Sequence, residues 1–592
     1  MHSNQRRVLV AVVGVSLQCF TATLAWSQDA AATALPSTNT DATGHIVGFG
    51  TNAFNGPDIA LYLGAQAFYN AGITGQNAIV ANVEAGHVWN GHETLGHVTQ
   101  FSHHPDAFGT TTTDLFDRHA TWVGHTIGGR GIFADQRGIA YGADLRSGAI
   151  ASAWSGNAYA LGFSFTNNSF LTPYVNYFGN SGVINSSWGF TDSTGTNVFT
   201  TSLDGLATTN PRTTFVASAG NSGSGENAVG SPGSGYNGIT VGALQGSSSN
   251  TVYNTVASFS SRAPSSWQNG TGGTVVTGVR ASVDIVAPGT GLTLAAYLGQ
   301  TGGNNPGLNL STTGSTASNL YFSNVAGTSF SAPIVAGAAT LLNSYANTNT
   351  SFSTGGTNEA TDSRVVKAVL LNSADKIPGW SNAQALDGNN IITTTQSLDY
   401  ASGAGALNIG GSYDQFTTGT KGVVGTVANA NHLVTESGWD LSSISPTAGL
   451  FDSVYRIATE LQGGSDFTAT LTWFRERRLN LNNGSVFDDR QADLDLILFR
   501  TDALGVLLNS NVIAQSISTY NVVEHLHLTV PQTGYYGLAI DYFGDHFTNG
   551  FLTTPVTYGL AWSGTVVPEP ATMGLLMSAA FGLLARRRRR VG

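Results

Sequence analysis

Three separated stretches of this sequence carry side-chain types that together can open an amide bond. Ser329 stands in Gly327-Thr-Ser-Phe-Ser-Ala-Pro-Ile-Val-Ala-Gly337, a small-residue stretch with a proline four residues on. His119 opens His119-Ala-Thr-Trp-Val-Gly-His-Thr-Ile-Gly-Gly129, and Glu84 closes the apolar run in Gly75-Gln-Asn-Ala-Ile-Val-Ala-Asn-Val-Glu84-Ala-Gly86. A serine hydroxyl is too weakly acidic to attack an amide at neutral pH. A histidine can take its proton, and a carboxylate can fix the histidine's tautomer and stabilise its cation. An asparagine amide can then stabilise the oxyanion, one such donor being typically worth about 2.7–4 kcal/mol. Phe215-Val-Ala-Ser-Ala-Gly-Asn221-Ser222 offers one.

Other chemistries fit less well. His87, His92, His97, His103 and His104 cluster, and His92-Glu93-Thr-Leu-Gly-His97 resembles a zinc-protease motif. It is one residue too long to put both histidines on one helical face, so these read as loop histidines beside a cleft. Gly-x-Ser-x-Gly is absent around Ser329, which excludes the strand–turn–helix nucleophile elbow. Asp114 and Asp117 precede His119 and read as helix N-terminal acids or a cap, with a substitute acid as the alternative.

The elements needed to hold such groups are legible in the pattern. Ala78–Val83, Val183–Ser186, Thr214–Ser218, Ile239–Ala243 and Val283–Val286 are short apolar runs with polar stops, the signature of buried parallel strands. They alternate with helical stretches such as Ser331–Asn347 and Ser363–Ala374, which predicts an α/β unit. After about Gly411 the period changes to two. Thr468–Trp473, Asp493–Phe499, Val523–Val530, Tyr535–Ile540 and Tyr558–Trp562 predict a β-sandwich. Arg475, Glu476, Arg477 and Arg478 read as solvated turn surface.

The three stretches resemble, in order, the motifs of the subtilisin-like serine peptidases, the subtilases. Glu84-Ala-Gly86 resembles the end of the family's Asp-Thr/Ser-Gly strand, His119 its His-Gly-Thr-His helix, and Gly327–Gly337 its Gly-Thr-Ser nucleophile block almost throughout. Val183-Ile-Asn-Ser-Ser-Trp-Gly189, Ile239-Thr-Val-Gly-Ala243, Ala257-Ser-Phe-Ser-Ser-Arg262 and Asp284-Ile-Val-Ala-Pro-Gly289 also resemble family segments, over roughly residues 65–410. The resemblance implies a parallel sheet with helices on both faces. It makes Ser329 the nucleophile, His119 the base, Glu84 the orienting acid and Asn221 the oxyanion donor, with Ser187, Trp188 and Gly189 beside the cleft. It implies polypeptide substrates and no catalytic metal or organic cofactor. Asp493 and Asp495 read as a solvated strand face; subtilase C-terminal sandwiches often carry a similar Asp-Leu-Asp-Leu strand and some bind calcium, so the alternative is part of a structural calcium shell.

Glu84 departs from the family's aspartate. Its extra methylene lengthens the side chain by about 1.3 Å, and a misplacement near 1 Å can cost about a hundredfold in rate. A scaffold or binding protein that keeps the fold with weakened catalysis is therefore the alternative function.

Composition bounds the setting. The chain has 592 residues, enough for two units plus tails, and only 10% are charged, far below an average soluble protein. Residues 1–27 read as a signal peptide: Arg6 and Arg7 precede the apolar run Val8–Val15, and small residues Ala25 and Ser27 offer a cleavage point. The single cysteine, Cys19, lies within it, so disulfides cannot stabilise the mature chain. Residues 28–55 form a polar leader without the apolar content of a folded prodomain. Residues 56–411 are assigned to the peptidase unit, 412–565 to the sandwich and 566–592 to a tail.

That tail, Val567-Pro-Glu-Pro570 followed by Ala571–Ala585 and Arg586–Arg590, resembles the PEP-CTERM sorting tail. Its apolar part rises about 22 Å as a helix, short of a bilayer core of about 30 Å, and suits transient inner-membrane anchoring before processing by sorting machinery. The expected destination is the envelope, outer surface or extracellular matrix. Without both end segments, Lys+Arg falls from 24 to 17 and Asp+Glu from 35 to 34, giving a net charge of −17. Such a surface disfavours nucleic acid as a partner.

Overall fold

A strand buried on both faces is built mainly of apolar residues, and Ile79–Glu84, with Asn82 and Glu84 as its polar members, is buried from Val80 onward. In the computed structural model it lies inside an eight-stranded sheet. The order across the sheet is Ile285–Pro288, Ile239–Gly246, Thr214–Ser218, Val183–Ser186, Ile79–Glu84, Asp144–Ala149 and Phe101–Ser102, all parallel. Tyr253–Val256 adds antiparallel to Ile239–Gly246. The structure describes residues 58–105, 115–131, 136–155, 158–161, 169–246, 252–295, 297, 321–349, 352–354, 357–418, 420–421, 433–449, 451, 453–503, 507–549 and 554–567. The expected signal peptide, polar leader, sorting helix and Asp114 lie outside them.

The two faces of the sheet bury different sets of residues. Val80, Val183, Val216, Ile239 and Ile285 pack with helices Arg118–Gly128, Thr328–Thr348 and Ser363–Asn372. Ala81, Val83, Ile184, Phe215 and Ala217 pack with helices Leu171–Tyr177 and Val198–Thr209. Thr328–Thr348 lies close because its contact residues are small. A Cβ on Gly337 would sit 2.5 Å from Ile139 Cβ, an overlap that would force the helix away. The parallel α/β sheet expected from the apolar runs is thus the observed architecture. Asp144–Ala149, by contrast, gave no apolar signal.

The C-terminal region is strand-rich, as expected. One sheet carries Ser437–Ile444, Val556–Gly564, Asp466–Trp473 and Val523–Thr529; the other carries Leu507–Ser516, Val486–Thr501, Tyr535–Thr548 and Ser453–Ile457. Leu471, Trp473, Leu494, Leu496, Leu526, Leu538, Leu560 and Trp562 fill the space between them. Ile392–Thr394, which precedes the expected boundary near 411, pairs in parallel with Leu507–Ser516. Among the described residues no helix is long and apolar enough to cross a membrane.

Two sequence expectations fail here, the first because distant partners make burial of charge tolerable. Arg475 and Arg477 are not solvated but fully buried. Arg475 pairs with Asp488 at 2.5 Å, and Arg477 with Asp488 at 3.1 Å and Asp204 at 2.7 Å. Only Arg478 behaves as surface. This cluster joins strand Glu476–Leu479 to helix Val198–Thr209, and Asn237 seals it by exchanging two hydrogen bonds with the Arg475 backbone. Asp493 and Asp495 likewise do not form a solvated face. Both are buried between neighbouring strands, and burial pushes each carboxyl up to about 7. Glu524, also buried, stands near both. Among the described residues no group of three or more His, Cys, Asp or Glu side chains is arranged to hold a metal ion.

Candidate active site

The connections that leave Ile79–Glu84 and its neighbour Val183–Ser186 run in opposite directions across the sheet, the first to Phe101–Ser102 and the second to Thr214–Ser218. The crevice beyond the carboxyl ends of strands at such a reversal is where α/β sheets place ligands. Glu84 ends that strand, and Ser187 directly follows the neighbouring strand Val183–Ser186. Two helix starts face the same crevice.

The first, Arg118–Gly128, is capped by Asp117. Its backbone is extended, and its carboxylate accepts the Ala120 N–H at 2.8 Å. That is the local reason the helix begins here, and it gives Asp117 a capping role. His119, in the first turn, places Nδ1 3.1 Å from Glu84 Oε2. The other Glu84 oxygen accepts the Ser187 N–H at 2.6 Å. Glu84 is 1% exposed. Burial pushes its carboxyl above the usual carboxylate range, against the lowering pull of His119 and the Ser187 N–H.

The second helix, Thr328–Thr348, begins after Gly327. Its φ of 152° disfavours any residue with a Cβ, and a Cβ there would approach Asn221 Nδ2 to 3.7 Å. Ser329 is in the first turn, and its hydroxyl donates to the Ser187 carbonyl at 3.0 Å. Pro333 lacks an N–H, so the carbonyl of Ser329 has no ordinary helical donor. Phe330 brings the two helix starts together, its ring 5.6 Å from that of His119.

Asn221 is held by its oxygen alone. Its Oδ1 accepts both the N–H and the hydroxyl of Thr328, each at 3.0 Å, and the Gly220 N–H donates back to Thr328 Oγ1. With the oxygen so occupied, the Nδ2 end remains as the donor aimed past Gly327. Thr328 is the part sequence reasoning missed; its position inside Gly-Thr-Ser was the available signal.

The remaining candidates separate. Ser187 joins the site through its backbone. Gly189 is exposed, and a Cβ on it would clash with the Ser231 carbonyl at 2.6 Å. Trp188 does not border the cleft. Its ring is buried against Phe170 and Phe190, with its N–H donating to Tyr174 Oη at 3.0 Å, because alternation turns it to the opposite face of the sheet. His87 and His92 lie between regular elements, as loop residues do, and both are buried. His87 lies 2.9 Å from His103 Nδ1, and burial beside that second ring holds it well below the usual histidine value. Trp122 and His125 sit within the packed helix interface, Trp122 against Phe322 and Phe330, and His125 against the Gln136 carbonyl.

The family model described as the subtilase family matches residues 79–405, more than half of the chain. The chain belongs to the subtilase family. This subtilase also matches the PEP-CTERM protein-sorting motif over residues 566–590, which directs export and sorting to the cell envelope. Among solved structures, a serine protease of Aeromonas sobria is 13% identical, with 83% of this chain and 89% of that one covered and a TM-score of 0.40. The prenylagaramide maturation protease PagA is 19% identical, with 60% of this chain and 99% of that one covered and a TM-score of 0.38. None of the curated proteins matches this subtilase. Membership of a serine-peptidase family makes polypeptides the substrate class.

Proposed function

We propose that this subtilase is an exported serine endopeptidase that works through Glu84, His119 and Ser329. The observation that carries this reading is the two-handed engagement of Glu84, with His119 Nδ1 at 3.1 Å on one oxygen and the Ser187 N–H at 2.6 Å on the other. A carboxylate so fixed keeps the proton on Nδ1, leaving Nε2 as the base. In attack, the Ser329 hydroxyl turns from the Ser187 carbonyl to the imidazole. Its proton passes to Nε2 as Oγ bonds to the substrate carbonyl carbon. The developing oxyanion takes hydrogen bonds from Asn221 Nδ2 and the Ser329 N–H. The C–N bond breaks as Nε2 returns the proton to the leaving amine. Water, deprotonated by the same nitrogen, then releases the acyl group. No metal or organic cofactor enters these steps.

The extra methylene of Glu84 is absorbed because its second oxygen reaches sideways to Ser187. A weakened, scaffold-like subtilase is the second reading. It is favoured by the bond from the Ser329 hydroxyl to the Ser187 carbonyl, which must break before attack. We assign residues 56–411 to the peptidase unit and 412–565 to the sandwich, with Ile392–Thr394 lent to the latter. The apolar part of the tail anchors the chain transiently in the inner membrane before removal near Pro568–Pro570, which delivers the enzyme to the outer surface or matrix. Hydrolysis of fluorogenic peptides by the wild-type protein, abolished in Ser329→Ala with an unchanged circular dichroism spectrum, tests the catalytic reading. Undiminished hydrolysis in that variant would refute it.

A further inference from the structure

Asn82 stands two residues before Glu84 on the same strand, so both side chains leave the same face of the sheet. That face carries the helix with His119. Asn82 Nδ2 donates to the Ala120 carbonyl at 3.1 Å, and Asn82 Oδ1 accepts from Asn185 Nδ2 at 3.2 Å. Glu84 repeats this span one step along the strand, with His119 on one oxygen and the Ser187 N–H on the other. Two parallel rungs thus run from the histidine's helix, through the central strand, to Val183–Ser187. Strand pairing sets Asn82 opposite Asn185. Asn185 closes the ladder by donating to Ser187 Oγ at 3.1 Å.

Asn82, Asn185 and Ala120 expose no surface. The amide pair ties the backbone one residue beyond His119 to the strand that bears the acid.

We propose that Asn82 is a positioning residue, fixing the histidine's helix at the separation from strand Ile79–Glu84 that a glutamate spans. It touches neither substrate nor reacting atoms and acts through the His119–Glu84 contact. This rests on the peptidase reading, and the experiment separates the two. Asn82→Val removes both hydrogen bonds at similar volume and suits a strand. Asn82→Thr leaves one hydroxyl, a bond shorter, in place of the amide's two ends, and cannot span both Ala120 and Asn185.

Two readouts apply: the downfield proton NMR resonance of His119 Nδ1–H, identified by its loss in Glu84→Gln, and kcat and KM on a peptide substrate. In both variants the resonance moves upfield or vanishes. The expected fall in kcat is about 10- to 100-fold at unchanged KM, the scale of a displacement near 1 Å. Because the effect runs through the carboxylate, Asn82→Val adds less than about twofold in a Glu84→Gln background. A folded Asn82 variant with wild-type resonance and kcat overturns the proposal, and so does a full multiplicative loss in the Glu84→Gln background. Wild-type protein that shows the resonance but no turnover overturns the peptidase reading instead, and the resonance then decides the role of Asn82.

Discussion

Replacing Glu84 by glutamine separates what the carboxylate does for chemistry from what it does for the fold. The Ser187 N–H, 2.6 Å from Oε1, requires an oxygen there, so the new amide nitrogen must face His119 Nδ1. That atom can accept only by giving up its proton, which moves to Nε2 and removes the base. The wrong tautomer costs about 10⁴ in kcat in other sites of this type, or about 5.5 kcal/mol of barrier. The fold should not suffer. Burial raises the Glu84 carboxyl above its ordinary range, so the folded state binds its proton more tightly than the unfolded chain does. That contribution is present at acid pH and lost as pH rises through the raised value. Glu84→Gln is therefore expected to unfold at or above the wild-type temperature at pH 8. Peptide hydrolysis and calorimetry at that pH measure both. A variant within tenfold of wild-type kcat, or one that melts well below it, would refute the reasoning.

Further outcomes follow from neighbouring contacts. Asn221→Ala, which removes the donor anchored by Thr328, should lower kcat by about 10²–10³ with little change in KM. Arg477→Ala leaves Asp204 and Asp488 buried with a lost partner. It should destabilise by about 3–5 kcal/mol in urea titration, whereas exposed Arg478→Ala should change stability by less than about 1 kcal/mol. Asp493 and Asp495 titrate near 7 in the fold, above the unfolded value, so their contribution is lost as pH rises through about 7. Asp495→Asn should consequently raise Tm at pH 8 and leave it nearly unchanged at pH 4, as differential scanning calorimetry would show.

Sequence pattern reached the parallel strands because burial on both faces favours short apolar runs; Val183–Ser186 and Thr214–Ser218 fall where the pattern put them. It missed Asp144–Ala149, whose Asp144 and Arg146 pair with each other at the strand's start while Ser147 bonds the His87 ring inside. A strand stabilised by such polar contacts has no apolar signature. The residues of the candidate site were singled out by motif chemistry, yet the contacts that hold them were not. Thr328 bonds Asn221, and Asn185 bonds Asn82, each across more than a hundred residues of sequence. Asp204 and Asp488 neutralise Arg477 from opposite sides of the domain junction. Charge read locally looks solvated, and only the fold reveals its partner. Trp188 shows the reverse error, since an aromatic beside a site motif still obeys strand alternation and goes to the core.

The most direct measurement is the fate of a fluorophosphonate probe, which forms an adduct only with a serine activated by its neighbours. The purified protein is incubated with the probe, digested, and the modified peptide located by mass spectrometry. The expected result is a single adduct on Ser329, absent in Ser329→Ala and formed far more slowly in Glu84→Gln. A wild-type protein that stays unlabelled, or that carries the adduct on another residue, would contradict the assignment of Glu84, His119 and Ser329 as one catalytic unit.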